Sequence, residues 1–205
     1  MYADGAPLRK SAQRRMSHFP QNLYDRVVAV GLPVRGQLTV VRPLTDDDVQ
    51  MLVAWHLDPE VSRFWGDETP SAEEVRADLA DPTVDLWLIE ADGAPVGFVQ
   101  SWREEEGPQR GGIDGFLFPD ARGRGLMPDA ARALARSLLE AGWQYVTVDP
   151  YVWNERAVRG WANAGFVEVS RHDADKDHTA PWVLMRFQPE SGSADTESGS
   201  TQIRT

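Results

Sequence analysis

The chain has 205 residues, 41% of them apolar, no cysteine and a formal net charge of −11. That length suits one domain with a sizeable core, and the lack of cysteine rules out disulfides, a thiolate nucleophile and cysteine metal ligands. So acidic a chain is a poor partner for nucleic acid. The charge is uneven: Arg9, Lys10, Arg14, Arg15 and Arg26 against Asp4 and Asp25 make residues 1–30 net +3, leaving −14 on the remainder. An acidic cleft would concentrate cationic ligands, although acidity that only aids solubility is the plainer account until a site is found. The four histidines (His18, His56, His172 and His178) are scattered, so no metal site is expected. No run of about 18 apolar residues occurs, so no membrane partner is expected. The opening residues lack the apolar segment of a secretory signal, which makes the cytoplasm the expected location.

In chain order, residues 1–35 read as an N-terminal extension, 36–188 as the folded domain and 189–205, rich in Ser, Gly and Thr, as a disordered tail. "GQLTVVRPL" alternates around Leu38, Val40 and Arg42 and predicts a first strand. "TDDDVQMLVAWHLDP" predicts a helix: Thr45 caps it, Asp46 to Asp48 suit its positive end, and Val49, Leu52, Val53 and Leu57 form its apolar stripe. In "PSAEEVRADLADP", Ser71 with Glu74 three residues on is a capping-box signature. "VDLWLIEADGAPVGFVQSW" predicts two strands joined at Asp92-Gly93. After the polar loop "REEEGPQRG" come a strand through Phe116, a glycine turn and a helix to Gly142. "YVTVDP" is a strand closed by Pro150, "NERAVRGWANAGF" a helix stopped by Gly165, and "FVEVSRH" and "PWVLMRF" two closing strands. The expected fold is α/β (α+β): a mixed, mostly antiparallel sheet of about seven strands with helices on both faces.

Two features carry chemistry. "ARGRGLMPDA" joins a strand to a helix, where small residues expose backbone amides to an anion. Arg122 and Arg124 add phosphate-seeking charge, and Pro128 fits a first helical turn. A bare strand–helix connector is the competing account, because neither a P-loop nor a dinucleotide fingerprint is present. The second feature is Asp114, which shares a strand face with Phe116 and Phe118. An unpaired carboxylate on such a face is costly.

"ARGRGLMPDAARALARSLLEAG" followed by "VDPYVWNERAVRGWANAGF" resembles the GNAT superfamily of acetyl-CoA-dependent N-acetyltransferases over roughly residues 36–188. The Q/R-x-x-G-x-G/A pattern falls on Arg122, Gly125 and Met127, and the later N-x-x-A, aromatic, G-F pattern on Asn154, Ala157, Trp161, Gly165 and Phe166. The resemblance implies acetyl-CoA as co-substrate and no metal. It implies cofactor contacts from Phe116, Leu117, Phe118, Arg122, Gly123, Arg124, Gly125, Leu126, Met127, Asn154, Ala157 and Trp161. Two positions depart from the pattern. Met127 replaces a small residue, so its side chain must point away from the pyrophosphate. Trp161 replaces a tyrosine able to protonate the leaving thiolate, so that step has no side-chain acid or uses another, such as Tyr151; Trp161 itself is expected to pack, in the core or on the cofactor.

"FWGDE", "VGFVQSW", "GGIDGFL" and the Asp149-Pro150 segment resemble, more closely, the bacterial aminoglycoside 6'-N-acetyltransferases. That resemblance implies Asp114 as candidate base and substrate contacts from Trp65, Gln100, Trp102, Glu104, Glu105, Asp114 and Asp149. The partner would be a cationic, amine-bearing small molecule, and the enzyme a monomer or homodimer. The 103–111 loop is shorter than in those relatives and lacks their tryptophan pair. Alternatives are action on a siderophore hydroxylysine, whose acetyltransferases "LVAWHLDPEVSRFW" also resembles, or on a protein N-terminus, or a non-catalytic acyl-CoA-binding module. Chemically, acetyl transfer to an amine needs removal of a proton, alignment with the thioester and a donor for its oxyanion. A free Asp has a pKa of about 3.9, low for a base at neutrality, and burial would raise it. Asp114 could also only orient the ammonium. Asp149, before a proline, suits a turn as well as a site.

Overall fold

The computed structural model describes residues 33–65, 69–104 and 110–189, with Trp65 by its backbone alone. Gly66 to Glu68, Glu105, Glu106 and most of the two terminal segments lie outside the described residues.

The described residues form eight strands and five helices: β1 (Val34–Arg35), β2 (Val40–Pro43), α1 (Val49–His56), α2 (Pro59–Trp65), α3 (Ala72–Leu79), β3 (Val84–Ala91), β4 (Ala94–Arg103), β5 (Arg110–Leu117), α4 (Leu126–Glu140), β6 (Tyr145–Val148), α5 (Glu155–Ala164), β7 (Phe166–His172) and β8 (Trp182–Phe187). They form one sheet in the order β1-β2-β3-β4-β5-β6-β8-β7. β5 and β6 are parallel and every other pair is antiparallel. The mixed, mostly antiparallel sheet with helices on both faces is therefore as expected. The eighth strand is the two-residue edge β1, upstream of the first strand read from the sequence.

Local signals account for most boundaries. Asp92 and Gly93 both have positive φ (53° and 77°), as a two-residue hairpin turn of this twist requires. Ser71 and Glu74 exchange backbone bonds across the start of α3. The helix expected from Thr45 opens instead as a 3-10 turn, Asp46–Asp48. The cause is Asp48, whose carboxylate folds back onto Thr45 and takes a two-pronged bond from Arg42 at 2.7 and 2.9 Å. Leu57, assigned to the α1 stripe, is 65% exposed, and His56 takes the buried place. Helix α2 was not anticipated. Asp58-Pro59-Glu60 starts it: Asp58 accepts the Glu60 amide, and Pro at a first helical position costs no hydrogen bond.

Each face of the sheet buries its own core. One face packs Val41, Trp87, Val99, Ile113 and Leu117 against Leu126, Leu134 and Leu138 of α4 and Trp161 of α5. The other packs Leu86, Leu88 and Phe98 against Val49 and Leu52 of α1 and Val75 of α3. Even-numbered residues of β5 face the α1 side, which puts Asp114 in line with Phe116.

The sheet divides in its middle. β5 pairs with β6 only from Arg110 to Gly112, opposite Tyr145 to Thr147. Beyond that point β5 keeps β4 on one side, and β6 keeps β8 on the other. The β6-facing edge of Ile113–Leu117 has no strand partner among the described residues.

Asp129, in the first turn of α4, ties this region together. Its carboxylate accepts the amides of Gln37 and Leu38 at 2.9 and 2.8 Å and the Thr39 hydroxyl at 2.8 Å. A Cβ at Gly36 would lie 2.1 Å from Asp129 Oδ2, so the β1–β2 loop closes on this carboxylate only with glycine there. Replacing Asp129 with Ala strands three donors in a largely buried place. The expected loss is about 2–3 kcal/mol of unfolding free energy, read as a lower urea midpoint at unchanged slope.

Candidate active site

Asp114 stands where the sheet divides. Gln100 is its cross-strand partner on β4, and Trp102 pairs with Gly112. A Cβ on Gly112 would meet the Trp102 ring at 2.5 Å. The glycine thus lets the indole lie flat across β5, where its Nε1–H donates to Asp114 Oδ2 at 3.2 Å. Gln100 is 5% exposed and also hydrogen-bonds Asp114, while its Oε1 has no partner among the described residues. Phe116 and Phe118 continue the same face beneath α1, against Trp55.

Asp149 directly follows β6. Were the β5–β6 pairing to continue in register past Gly112 and Thr147, Asp114 and Asp149 would be opposite one another. The pair is felt electrostatically. Burial first, and then the charge of Asp149, push the Asp114 carboxyl up to about 7, while the bonds from Gln100 and Trp102 and the charge of His178 pull it down. A carboxyl so poised can accept a proton near neutral pH. Asp149 itself is held by His178, whose Nε2 is 3.2 Å from Asp149 Oδ2.

Strand pairing fixes the direction of the free backbone edge. Glu104 N–H donates to Arg110 O and Phe118 N–H to Val96 O. With the unbroken register between them, the even-numbered residues of β5 bond to β4. The amides of Ile113, Gly115 and Leu117 therefore point into the gap, while the Ile113 and Leu117 side chains are buried in the core behind.

At the end of β5 the chain turns through Pro119–Ala121, and Gly123 and Gly125 have φ of 81° and 77°. That turn exposes the amides of Gly123, Arg124, Gly125, Leu126 and Met127, for which no partner exists among the described residues. Five free donors at a helix N-terminus form an anion cradle. The Met127 side chain packs against the core, as its place in the pattern demanded. The two arginines behave differently from simple phosphate ligands. Arg122 donates to Leu117 O and, from its two terminal nitrogens, to Glu60 O and Oε2, which ties the turn to α2. Arg124 pairs with Asp92 at the surface.

The remaining expected residues scatter more widely. Asn154 caps α5 by accepting the Ala157 amide. Trp161 is 7% exposed and packs edge-on against Phe166, the core role among those expected for it. Tyr151 stacks on Trp153, which stacks on Phe64. Glu104 accepts the Tyr145 hydroxyl at the start of β6; its cross-strand partner Arg110 is four residues from Asp114 along β5, about 13 Å at strand spacing. The structure therefore groups Asp114, Gln100, Trp102 and Asp149, and sets Glu104 apart. Trp65 ends α2, and Glu105 lies outside the described residues. His178 and its partner Asp175 escaped the sequence reading, because only the β7–β8 pairing brings them to Asp149. Among the described residues no group of His, Asp and Glu is placed to hold a metal, and no helix is long and apolar enough to cross a membrane.

A sheet parted between two parallel strands, with free amides at a helix N-terminus at one end of the gap, suits an acyl-CoA-dependent acyltransferase. The chain belongs to the GNAT acetyltransferases: the acetyltransferase (GNAT) domain model matches residues 45–174. None of the curated proteins matches the chain in sequence. Among solved structures, aminoglycoside acetyltransferase AAC(6')-Ib in complex with paromomycin and acetyl-CoA superposes with a TM-score of 0.65 at 26% identity, over 74% of this chain and 93% of that one. Spermidine N-acetyltransferase from Vibrio cholerae, with CoA and spermine, gives 0.63 at 17% identity over 73% and 95%. The ribosomal L7/L12 alpha-N-protein acetyltransferase RimL, with CoA, gives 0.66 at 14% over 76% and 97%. These last two share the fold.

The Trp102 bond stabilises the anionic form of Asp114, so its loss must raise the carboxyl further. Trp102→Phe is expected to move the Asp114 titration up by about half to one pH unit, measured from the carboxyl carbon by NMR.

Proposed function

We propose that the protein transfers an acetyl group from acetyl-CoA to a primary amine of a cationic small molecule, aminoglycoside-like and of the 6'-N type, by direct attack in a ternary complex. The observation that carries this reading is Asp114 at the parting of the sheet, within electrostatic reach of Asp149 and poised near neutrality. The likeness to AAC(6')-Ib, solved with paromomycin and acetyl-CoA at 26% identity, supports the substrate class. The strongly acidic chain, at −11, favours a positively charged acceptor.

The residues fit the co-substrate. The free amides of Gly123 to Met127 suit a diphosphate, and the unpaired edge of Ile113–Leu117 offers donors to an extended amide-bearing arm. Acetyl-CoA, when bound, supplies the thioester, whose C–S bond breaks as the N–C bond forms. Asp149 and the open Gln100 Oε1 receive the acceptor's ammonium and hydroxyl groups. Asp114 takes the proton from the attacking nitrogen. The Leu117 or Gly115 amide, aimed into the gap, stabilises the carbonyl oxygen as it gains charge. Trp161, buried and without an acidic hydroxyl, gives no proton to the departing sulfur. A thiol with a pKa of about 8.5 needs no strong acid there at neutrality.

The test is thiol release from acetyl-CoA with an amine panel of aminoglycosides, polyamines, hydroxylysine and peptides. Turnover of aminoglycosides is expected, with Asp114→Asn losing about 10²–10⁴ in kcat/KM while acetyl-CoA binding by calorimetry is kept. Turnover of hydroxylysine or peptides alone would overturn the substrate class, and acetyl-CoA binding without turnover of any amine would leave a binding module.

A further inference from the structure

The loop between β7 and β8 brings His178 to Asp149. His178 Nε2 lies 3.2 Å from Asp149 Oδ2, and its Nδ1 lies 3.1 Å from Asp175 Oδ1. Asp175 is committed as an anion: it also accepts the amides of Asp177 and His178, both at 2.8 Å, and the Trp182 indole N–H at 3.2 Å. A neutral imidazole has one donor and one acceptor nitrogen. With a carboxylate oxygen at each nitrogen, it would set a lone pair against an anion; only the doubly protonated ring satisfies both.

The ring is held firmly. It stacks on Trp182 with centroids 4.2 Å apart and meets the edge of Tyr151 at 6.1 Å. The side chain is 15% exposed. The loop is pinned to the residues after β6 by Val152 N–H to Pro181 O and by Val183 N–H to Pro150 O. The groups facing His178 are Asp149 beyond β6, Asp175 on its own loop, Tyr151 and Trp182, with Asp114 of β5 in electrostatic range. Its neighbour Asp177 is paired with Lys176 at the surface.

We propose that His178 is the internal cation of the acceptor site: an imidazolium that the β7–β8 loop lays on Asp149, offsetting one of the two facing carboxylates. It acts through Asp149 and Asp114 and is a positioning residue. Two bare carboxylates across the gap would hold the proton on Asp114 ever more tightly. Offsetting the Asp149 charge keeps Asp114 able to give up its proton near neutral pH. The direction of the His178 titration agrees, since the bond to Asp149 raises it above the ordinary histidine value. This inference rests on Asp114 as the proton acceptor.

The experiment titrates the Asp114 carboxyl carbon and the His178 ring by NMR in the free enzyme, which needs no turnover. Failure of the proposed activity and failure of this inference are thereby told apart. In His178→Gln the Asp114 midpoint is expected to rise by about 0.5–1 pH unit, while His178→Arg, permanently charged, restores it. In Asp149→Asn the His178 midpoint is expected to fall by about one unit. An Asp114 midpoint unmoved in His178→Gln, a shift that the arginine does not restore, or a His178 ring neutral at pH 6.5 overturns the proposal. If amines are turned over, the acid limb of kcat/KM must move with Asp114.

Discussion

The site depends on where β5 and β6 stop pairing. Three residues of parallel ladder, Arg110 to Gly112 against Tyr145 to Thr147, hold the halves of the sheet together. A longer ladder would give β5 a continuous partner and turn the amides of Ile113, Gly115 and Leu117 into sheet bonds. A shorter one would loosen the placement of Asp149 against Asp114. The parting is stable because each strand is paired on its other side, β5 by seven residues of β4 and β6 by β8. The exposed donors form one edge of a gap, with cores packed on both faces behind it.

That geometry sets up the electrostatics. A carboxyl on the α1 face of the sheet, beside Phe116, loses hydration and becomes a weaker acid. A second carboxylate across the gap adds to the effect. The Trp102 and Gln100 donors and the His178 cation oppose it. The outcome is a balance of opposed influences, each traced to a named group on β4, β5, the end of β6 or the β7–β8 loop. A site so balanced responds to single substitutions in a definite direction, whereas a lone surface aspartate would respond little.

Much of this was legible in the sequence because it rests on local signals. The Asp92-Gly93 hairpin, the Ser71–Glu74 capping box, the Gly123 and Gly125 turn and the Gly165 stop each follow from backbone demands of a few adjacent residues. Asp114 stood out because period-two alternation sets it beside Phe116. Contacts closed by distant chain segments were not legible. Nothing near Arg122 announces that its guanidinium will reach Glu60 of α2, so a phosphate role was the natural expectation. That Glu104 meets the Tyr145 hydroxyl follows from strand registers that no local signal announces. His178 lies in a polar loop with no motif, and its meaning comes only from the hairpin that returns it to Asp149.

One arrangement runs against the anion cradle on charge alone. Asp129 is a carboxylate in the first turn of α4, the same turn whose amides suit a diphosphate. A free negative charge there would weaken phosphate binding. Here the charge is engaged by two amides and a hydroxyl from the β1–β2 loop, and those bonds hold its titration low, against the opposing effect of burial. The helix begins after the left-handed Gly125, and the donors of Gly123 to Met127 remain without partners among the described residues. The carboxylate thus anchors the start of the sheet to the helix, and its charge is satisfied by groups that take no part in the cradle. Tethering the turn and leaving its amides open are compatible because they draw on different atoms of the same helical end.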